Sequence, residues 1–172
     1  MSQLLFDYLQ RPLMPIRSLV LALAVTVVAC SPSAKSSASS TPSSDIAAKA
    51  AAVMPFDLKK TTHLFADTAS GGTQTVTIDN PVDTDQLPLI RTHLANEAAQ
   101  FRAGNYSDPA KIHGMDMPGM QELTSGFKEI TVTVDELPNG AVIGYDTENP
   151  KLISAIHAWF DRQRNDHTGQ AG

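Results

Sequence analysis

Two successive hairpin-and-helix units constrain the fold of this chain more than any other feature of its sequence. In the first, THLFADT leads through a turn with Gly71-Gly72 into TQTVTID, where apolar or amide residues alternate with threonines as in a half-buried strand. The stretch QLPLIRTHLANEAAQFRAG then predicts an amphipathic helix, because apolar residues recur at spacings of three and four. These residues are Leu87, Ile90, Leu94, Ala98 and Phe101. Gly104 stands where a helix commonly ends in glycine.

The same order of elements returns further along the chain. KEITVTVDEL and AVIGYDT predict two strands, and Asn139-Gly140 between them is a strong hairpin signal. Pro150 then opens a second helix, at a position that suits proline. Its predicted buried residues are Ile153, Ile156, Trp159 and Phe160. The pattern predicts an α+β two-layer sandwich: duplicated ββα–ββα units forming a four-stranded, mostly antiparallel sheet with two helices on one face. Chance similarity between two hairpin–helix units is the alternative to a true duplication.

The N-terminal segment carries the features of an export signal. Arg11 and Arg17 precede an apolar run over residues 19–29, which is shorter than the roughly 20 residues that a membrane-spanning helix needs. The run ends in VVAC and resembles the lipobox of bacterial lipoproteins, in which the cysteine is acylated before cleavage. We therefore expect residues 1–29 to be a signal peptide and Cys30 to carry palmitate and related acyl chains. The alternative is cleavage elsewhere, which would leave Cys30 as a free thiol.

The remaining composition divides the mature chain into three parts. Residues 30–53 are rich in Ser, Ala and Pro and predict a flexible tether, residues 54–167 a single α+β domain, and residues 168–172 a disordered tail. Removing residues 1–29 changes the net charge from −5 to −6, and the domain has no basic cluster, so we expect no nucleic-acid partner. The expected location is the bacterial cell envelope, facing the periplasm. By resemblance to the sorting of enterobacterial lipoproteins, the absence of Asp after Cys30, where this chain has Ser31, favours the outer membrane.

Each predicted helix carries a histidine followed four residues later by a carboxylate. The pairs are His93–Glu97 and His157–Asp161, and residues four apart lie on one face of a helix. Two imidazoles and two carboxylates on neighbouring helices would suit a transition metal such as zinc or copper. The alternative is that both are ordinary surface pairs with a structural role.

The connection between the two units contains IHGMDMPGM, residues 112–120. Thioethers favour Cu(I), while imidazole and carboxylate suit Cu(II), so His113 and Met117 join the predicted metal ligands. The segment is similar to the Met/His-rich stretches of periplasmic copper carriers. In the alternative reading, Met117 and Met120 pack under the loop as core filler.

Three segments together resemble a group of small proteobacterial exported proteins, over essentially the whole mature domain. The segments are LIRTHLANEAAQFRAGNYSDP, IHGMDMPGM and ISAIHAWFDRQRNDH, which contain the patterns H-L-x-x-E-A, H-G-x-x-M-P-G and H-x-W-F-D. Members sometimes carry the label aspartate carbamoyltransferase. The catalytic chain of that enzyme has about twice this length and an S-T-R-T-R phosphate loop that this chain lacks. The resemblance therefore implies an exported protein and brings no activity with it.

These observations predict a lipid-anchored periplasmic binding protein that holds a copper- or zinc-class ion. The predicted ligands are His93, Glu97, His113, Met117, His157 and Asp161. The alternative is a non-catalytic envelope interaction protein whose histidines are structural. Haem is less favoured because the domain is small for its apolar pocket. An enzyme is less favoured because the sequence has no G-x-S-x-G or H-E-x-x-H pattern.

Overall fold

The computed structural model describes residues 42–167, with side chains from residue 45 to residue 166. The predicted signal peptide, Cys30, His167's side chain and the predicted tail lie outside the described residues. Within the described part, no helix is both long and apolar enough to cross a membrane.

Five helices and four strands make up the described chain. In order, they are α1 (Pro42–Val53), β1 (Thr61–Thr68), β2 (Gly71–Ile78), α2 (Leu87–Arg102), α3 (Ser107–His113), α4 (Met120–Gly126), β3 (Thr131–Leu137), β4 (Gly140–Asp146) and α5 (Pro150–His167). Short 3-10 turns at Thr84–Gln86 and Phe127–Glu129 lead into α2 and out of α4.

The four strands form one antiparallel sheet in the order β1-β2-β4-β3. The helix α2 packs over β3 and β4, while α5 packs over β1 and β2. One apolar core lies between the two layers and includes Val76, Leu94, Ile143 and Trp159. The predicted two-layer α+β sandwich is therefore confirmed, and the two hairpins join through the inner strands β2 and β4.

Local signals in the sequence account for the ends of the elements. Gly104 follows α2 with φ +73°, and its N–H donates to the carbonyl of Phe101 at 2.9 Å, as predicted for a glycine helix cap. The Asn139-Gly140 turn joins β3 to β4 as predicted. In α5, Ile156, Trp159 and Phe160 are buried, while Leu152 is more deeply buried than Ile153.

Arginines from the helices cap both edges of the sheet. On the β3 edge, Arg102 Nε donates to the carbonyl of Val132 at 2.8 Å. On the β1 edge, Arg164 Nη1 donates to the carbonyl of Phe65 at 3.2 Å. A charged side chain on an edge carbonyl blocks pairing with a foreign strand, so these edges are protected against edge-to-edge association.

The helix α1 corrects the predicted tether. Residues 42–53 were assigned to a flexible segment by composition, but they form a helix whose Ile46 and Ala50 are buried against Ile112 of α3. Alanine favours helix strongly, and the spacing of Ile46 and Ala50 gives the helix a narrow apolar stripe. The residues that follow, Met54 and Leu58, contact both this small cluster and the main core.

Candidate functional site

The inner face of α2 places a histidine and a carboxylate inside the protein. His93 and Glu97 are 9% and 6% exposed, and His93 Nε2 lies 3.7 Å from Glu97 Oε2. Glu97 Oε2 also accepts a hydrogen bond from Gln74 Nε2 of β2 at 3.3 Å. The amide oxygen of Gln74 accepts in turn from the Tyr145 hydroxyl of β4 at 2.9 Å. The result is a buried polar chain between helix and sheet.

Burial opposes charge on both members of the His93–Glu97 pair. It raises the pKa of Glu97 from 4.5 to about 7, against a smaller opposing effect of the Gln74 hydrogen bond. It lowers the pKa of His93, with the charge of Asp108 acting weakly in the other direction. The separation of 3.7 Å would suit an ion pair, but desolvation is the largest cause of both pKa shifts and disfavours the charged form of each group.

Three polar atoms around this chain are buried without a hydrogen-bond partner among the described residues. They are His93 Nε2, Tyr106 Oη and Trp159 Nε1, and they come from α2, from the residue that precedes α3, and from α5. Leaving a buried polar atom unpaired costs about 1–3 kcal/mol, so such atoms are rare in native proteins. Unpaired polar atoms of this kind make this part of the core the candidate functional site.

Aromatic contacts link Tyr106 and Trp159 to the Tyr145 end of the polar chain. The ring of Tyr106 stacks on Phe101 with centroids 4.8 Å apart and meets Trp159 edge-on at 5.9 Å. Trp159 meets Tyr145 edge-on at 5.6 Å. Burial raises the pKa of Tyr106 to about 12 and that of Tyr145 well above its ordinary value, so both phenols keep their protons as donors. We call His93, Glu97, Gln74, Tyr145, Tyr106 and Trp159 the buried polar cluster.

An aromatic side chain contacts the histidine end of the buried polar cluster. Phe56 lies just after α1, and its ring meets His93 edge-on with centroids 5.6 Å apart. The ring centroid of His63 on β1 lies 5.6 Å from that of the same phenylalanine. His63 therefore points inward, on the same face of β1 as Phe65.

The predicted ligand His113 is held by a carboxylate outside the buried polar cluster. Its side chain is 1% exposed, and its Nδ1 lies 2.7 Å from Asp166 Oδ2. Arg162 Nε donates to the same carboxylate oxygen at 2.9 Å. The contact joins the C-terminal end of α3 to the C-terminal end of α5.

The second predicted pair, His157–Asp161, does not form. His157 Nε2 lies 3.0 Å from the carbonyl of Thr68 and 2.9 Å from that of Gly71, so its N–H fastens the β1–β2 turn to α5. The Asp161 carboxylate is instead bonded by Arg164, which also binds Asp67.

The methionines of the 112–120 segment do not converge. Met117 and Met120 are 5% and 4% exposed and belong to the main core, which is the packing role considered for them from the sequence. Met115 is 75% exposed. The thioethers thus lie partly inside and partly outside the protein.

The six predicted metal ligands are divided among separate contacts, and only His93 and Glu97 lie side by side. Over the residues the structure describes, no group of three or more His, Cys, Asp or Glu side chains is placed to hold a metal ion. A structural zinc site uses four protein ligands and a catalytic one three. The described residues therefore do not fit the predicted shared site, and metal binding stays a prediction.

Comparisons with protein-family models, curated proteins and solved structures find no match to this chain. The resemblance to small proteobacterial exported proteins likewise stays a prediction.

Four members of the buried polar cluster were not among the predicted site residues: Gln74, Tyr106, Tyr145 and Trp159. One signal was available in the sequence, because Gln74 lies on the same face of β2 as the apolar residues Val76 and Ile78. An amide on the apolar face of a strand needs a buried partner, and that partner is Glu97.

Proposed function

We propose that this chain is a lipid-anchored binding protein of the bacterial envelope and that the buried polar cluster is its binding site. The observation that carries the proposal is the group of unpaired polar atoms on His93, Tyr106 and Trp159. Each is a group that proteins normally bond, and none of these three atoms forms a hydrogen bond between elements of the described residues. The edge strands are capped by arginines, which argues against a strand-pairing partner.

The anchor part of the proposal rests on the sequence. Acylation of Cys30 and a periplasm-facing, outer-membrane position follow from the lipobox-like segment and from Ser31. Substituting Cys30→Ser should leave the protein without fatty acid and release it from the membrane fraction. Metabolic labelling with a clickable palmitate analogue reads this directly, and labelling that persists in the variant contradicts the anchor.

The binding part is tested on the mature lipoprotein purified from envelopes without an affinity tag. Native mass spectrometry should show a small molecule retained by the folded wild type, and elemental analysis of the same sample tests the copper or zinc prediction. The His93→Ala variant should lose the retained species. His157→Ala is the matched control, because that histidine lies on the other main helix and bonds only backbone carbonyls among the contacts described.

A second candidate function is a non-catalytic envelope interaction protein with structural histidines. It is favoured by the contacts of His113 with Asp166 and of His157 with the β1–β2 turn, both of which stabilise the fold. Wild-type protein that retains neither metal nor small molecule would favour this candidate over the binding protein.

A further inference from the structure

The helix α1 docks on the domain through an apolar contact that is separate from the main core. Ile46 and Ala50 of α1 pack against Ile112 of α3, and these three buried residues form a cluster of their own. A surface cleft of about 370 Å³ is lined by residues of both helices, including Ala52 of α1 and Lys111 of α3. The two helices are therefore only partly packed against each other.

The helix α1 has little stability apart from this contact. An isolated helix shorter than about 12–15 residues is marginal in water even when it is rich in alanine, and α1 has 12 residues. Apart from Ile46 and Ala50, its described side chains are exposed or half-buried. The free energy that holds α1 in place is therefore smaller than the free energy that holds the sheet, whose inner strands lie under the main core.

Phe56 connects α1 with the histidine end of the buried polar cluster. It follows the last residue of α1 by three positions and is 5% exposed. The centroid of its ring lies 5.6 Å from those of both His63 and His93. Withdrawal of the phenylalanine ring would uncover the surfaces of the two histidines that it contacts, and the Nε2 atom of His93 is one of the unpaired atoms of the site.

The chain is fixed again immediately after Phe56. The N–H of Asp57 donates to Gln86 Oε1 at 2.8 Å, and the carbonyl of Asp57 accepts from the N–H of Lys60 at 3.0 Å. Pro55, which has no N–H to donate, lies between this fixed point and α1. The chain can therefore pivot at Pro55 and Phe56 while the start of β1 stays in place.

We infer that residues 42–56 form a strap that opens at Pro55 and Phe56 and gives access to His93. As the entrance to the buried polar cluster, the strap rests on the proposed binding function; as a motion, it rests on the packing of α1 and Phe56. Phe56 belongs to the main core when the strap is closed, so the open state is a minor one, on the order of 0.1–10% of molecules. Opening breaks apolar contacts and changes no covalent bond.

Hydrogen exchange of the mature lipoprotein in detergent micelles tests whether α1 opens on its own. Amides of α1 should show protection factors of about 10 to 1,000, as expected for an open state of that population. Amides of the inner strands β2 and β4 should be protected much more strongly, because they exchange only when the whole domain unfolds. Equal protection of α1 and these strands would overturn the strap, and so would the absence of any protection in α1.

Diethyl pyrocarbonate, which adds an ethoxycarbonyl group to an accessible imidazole nitrogen, tests whether Phe56 moves with α1. Peptide mapping by mass spectrometry measures the modification rate of His93, with His157 of α5 as the internal reference. Ala50→Asp places a charge in the apolar contact and should raise the His93 rate about tenfold. Ala48→Asp makes the same change at an exposed position of the same helix, so this matched control should keep the wild-type rate.

A milder variant guards against loss of the fold. Ile46→Val removes one methyl group from the contact and should raise the His93 rate about two- to tenfold. Strong protection of the β2 and β4 amides in the same samples shows that each variant is folded.

Each outcome decides the inference. A His93 rate that rises in Ala50→Asp and Ile46→Val but not in Ala48→Asp supports the strap. An unchanged His93 rate in folded Ala50→Asp whose α1 amides have lost protection overturns it, because the helix then leaves while Phe56 stays. Native mass spectrometry of the wild type decides the function separately. A strap that opens in a protein that retains nothing overturns the proposed function and the role as an entrance, whereas a retained species in a protein whose strap does not open overturns the strap alone.

Discussion

Replacing Glu97 with glutamine should stabilise the protein increasingly as pH rises above about 4.5, and most at neutral pH and above. Burial raises the pKa of Glu97 from 4.5 to about 7, so the folded state holds a proton that the unfolded state has already released between these two pH values. Where the folded state binds more protons, the free energy of unfolding falls as pH rises. The cost is absent below about pH 4.5, grows up to about pH 7, and stays constant above it.

The size of the effect follows from the same two values. A tenfold change in a proton equilibrium constant is worth about 1.4 kcal/mol, so keeping Glu97 buried costs up to about 3 kcal/mol at pH 8. Glutamine has nearly the same shape, can accept the Gln74 hydrogen bond, and carries no charge at any pH. The stability of Glu97→Gln relative to wild type should therefore rise by about 3 kcal/mol between pH 4.5 and pH 8.

Urea denaturation of both proteins across this pH range, followed by Trp159 fluorescence, measures the difference. Contributions from His93 and the surface carboxylates occur in both proteins and cancel to first order. The exposed Glu122→Gln serves as the control and should show no such rise. A relative stability that does not change with pH, or that falls as pH rises, would refute the reasoning, since a fall would mean that ionised Glu97 stabilises the fold as half of an ion pair.

Four further substitutions test the contacts that hold the fold around the cluster. His157→Ala removes the hydrogen bonds to the two turn carbonyls and should lower the unfolding free energy by about 1–2 kcal/mol in urea denaturation; no change would contradict the fastening role. Asp166→Asn weakens the charge-assisted contact with its buried histidine partner and should cost about 1–3 kcal/mol, whereas a thermal midpoint equal to wild type would contradict it. Gly119→Ala and Gly114→Ala both place a side chain at positive φ, +80° and +93°, and each should cost about 1–2 kcal/mol in calorimetry for that reason. At Gly119 the new Cβ would also lie 2.2 Å from the Ala155 carbonyl oxygen, whereas at Gly114 nothing lies within 4 Å. Gly119→Ala should therefore lower the free energy of unfolding by about 1–3 kcal/mol more than Gly114→Ala does. Equal losses in the two variants would contradict the close packing of α4 on α5.

Periodicity explains why the sheet and its two main helices could be predicted from the sequence. Alternation on β2, the spacings of Leu94 and Ala98 on α2, and the turn at Asn139-Gly140 are local properties, and the structure uses each of them as expected. The helix α1 was missed because its composition suits a tether equally well. What makes it helical in the protein is contact with Ile112, a residue of another element.

The candidate site could be predicted only in part, because histidine partners are set by distant residues. The pair His93–Glu97 is local to one helix and was found from its spacing. His113 bonds Asp166, which is 53 positions away, and His157 bonds the carbonyl of Thr68, which is 89 positions away. The equal spacing of the two His–acid pairs suggested a shared role, yet one pair is buried under Phe56 and the other is divided between a backbone turn and Arg164.

The measurement that tests the account most directly is a high-resolution crystal structure of the mature protein isolated from envelopes. The central claim is that His93 Nε2, Tyr106 Oη and Trp159 Nε1 belong to a binding site. It predicts electron density for a molecule larger than water, bonded to at least two of these three atoms. A structure in which protein groups or single water molecules satisfy all three atoms would contradict the claim and leave the buried polar cluster a structural part of the core.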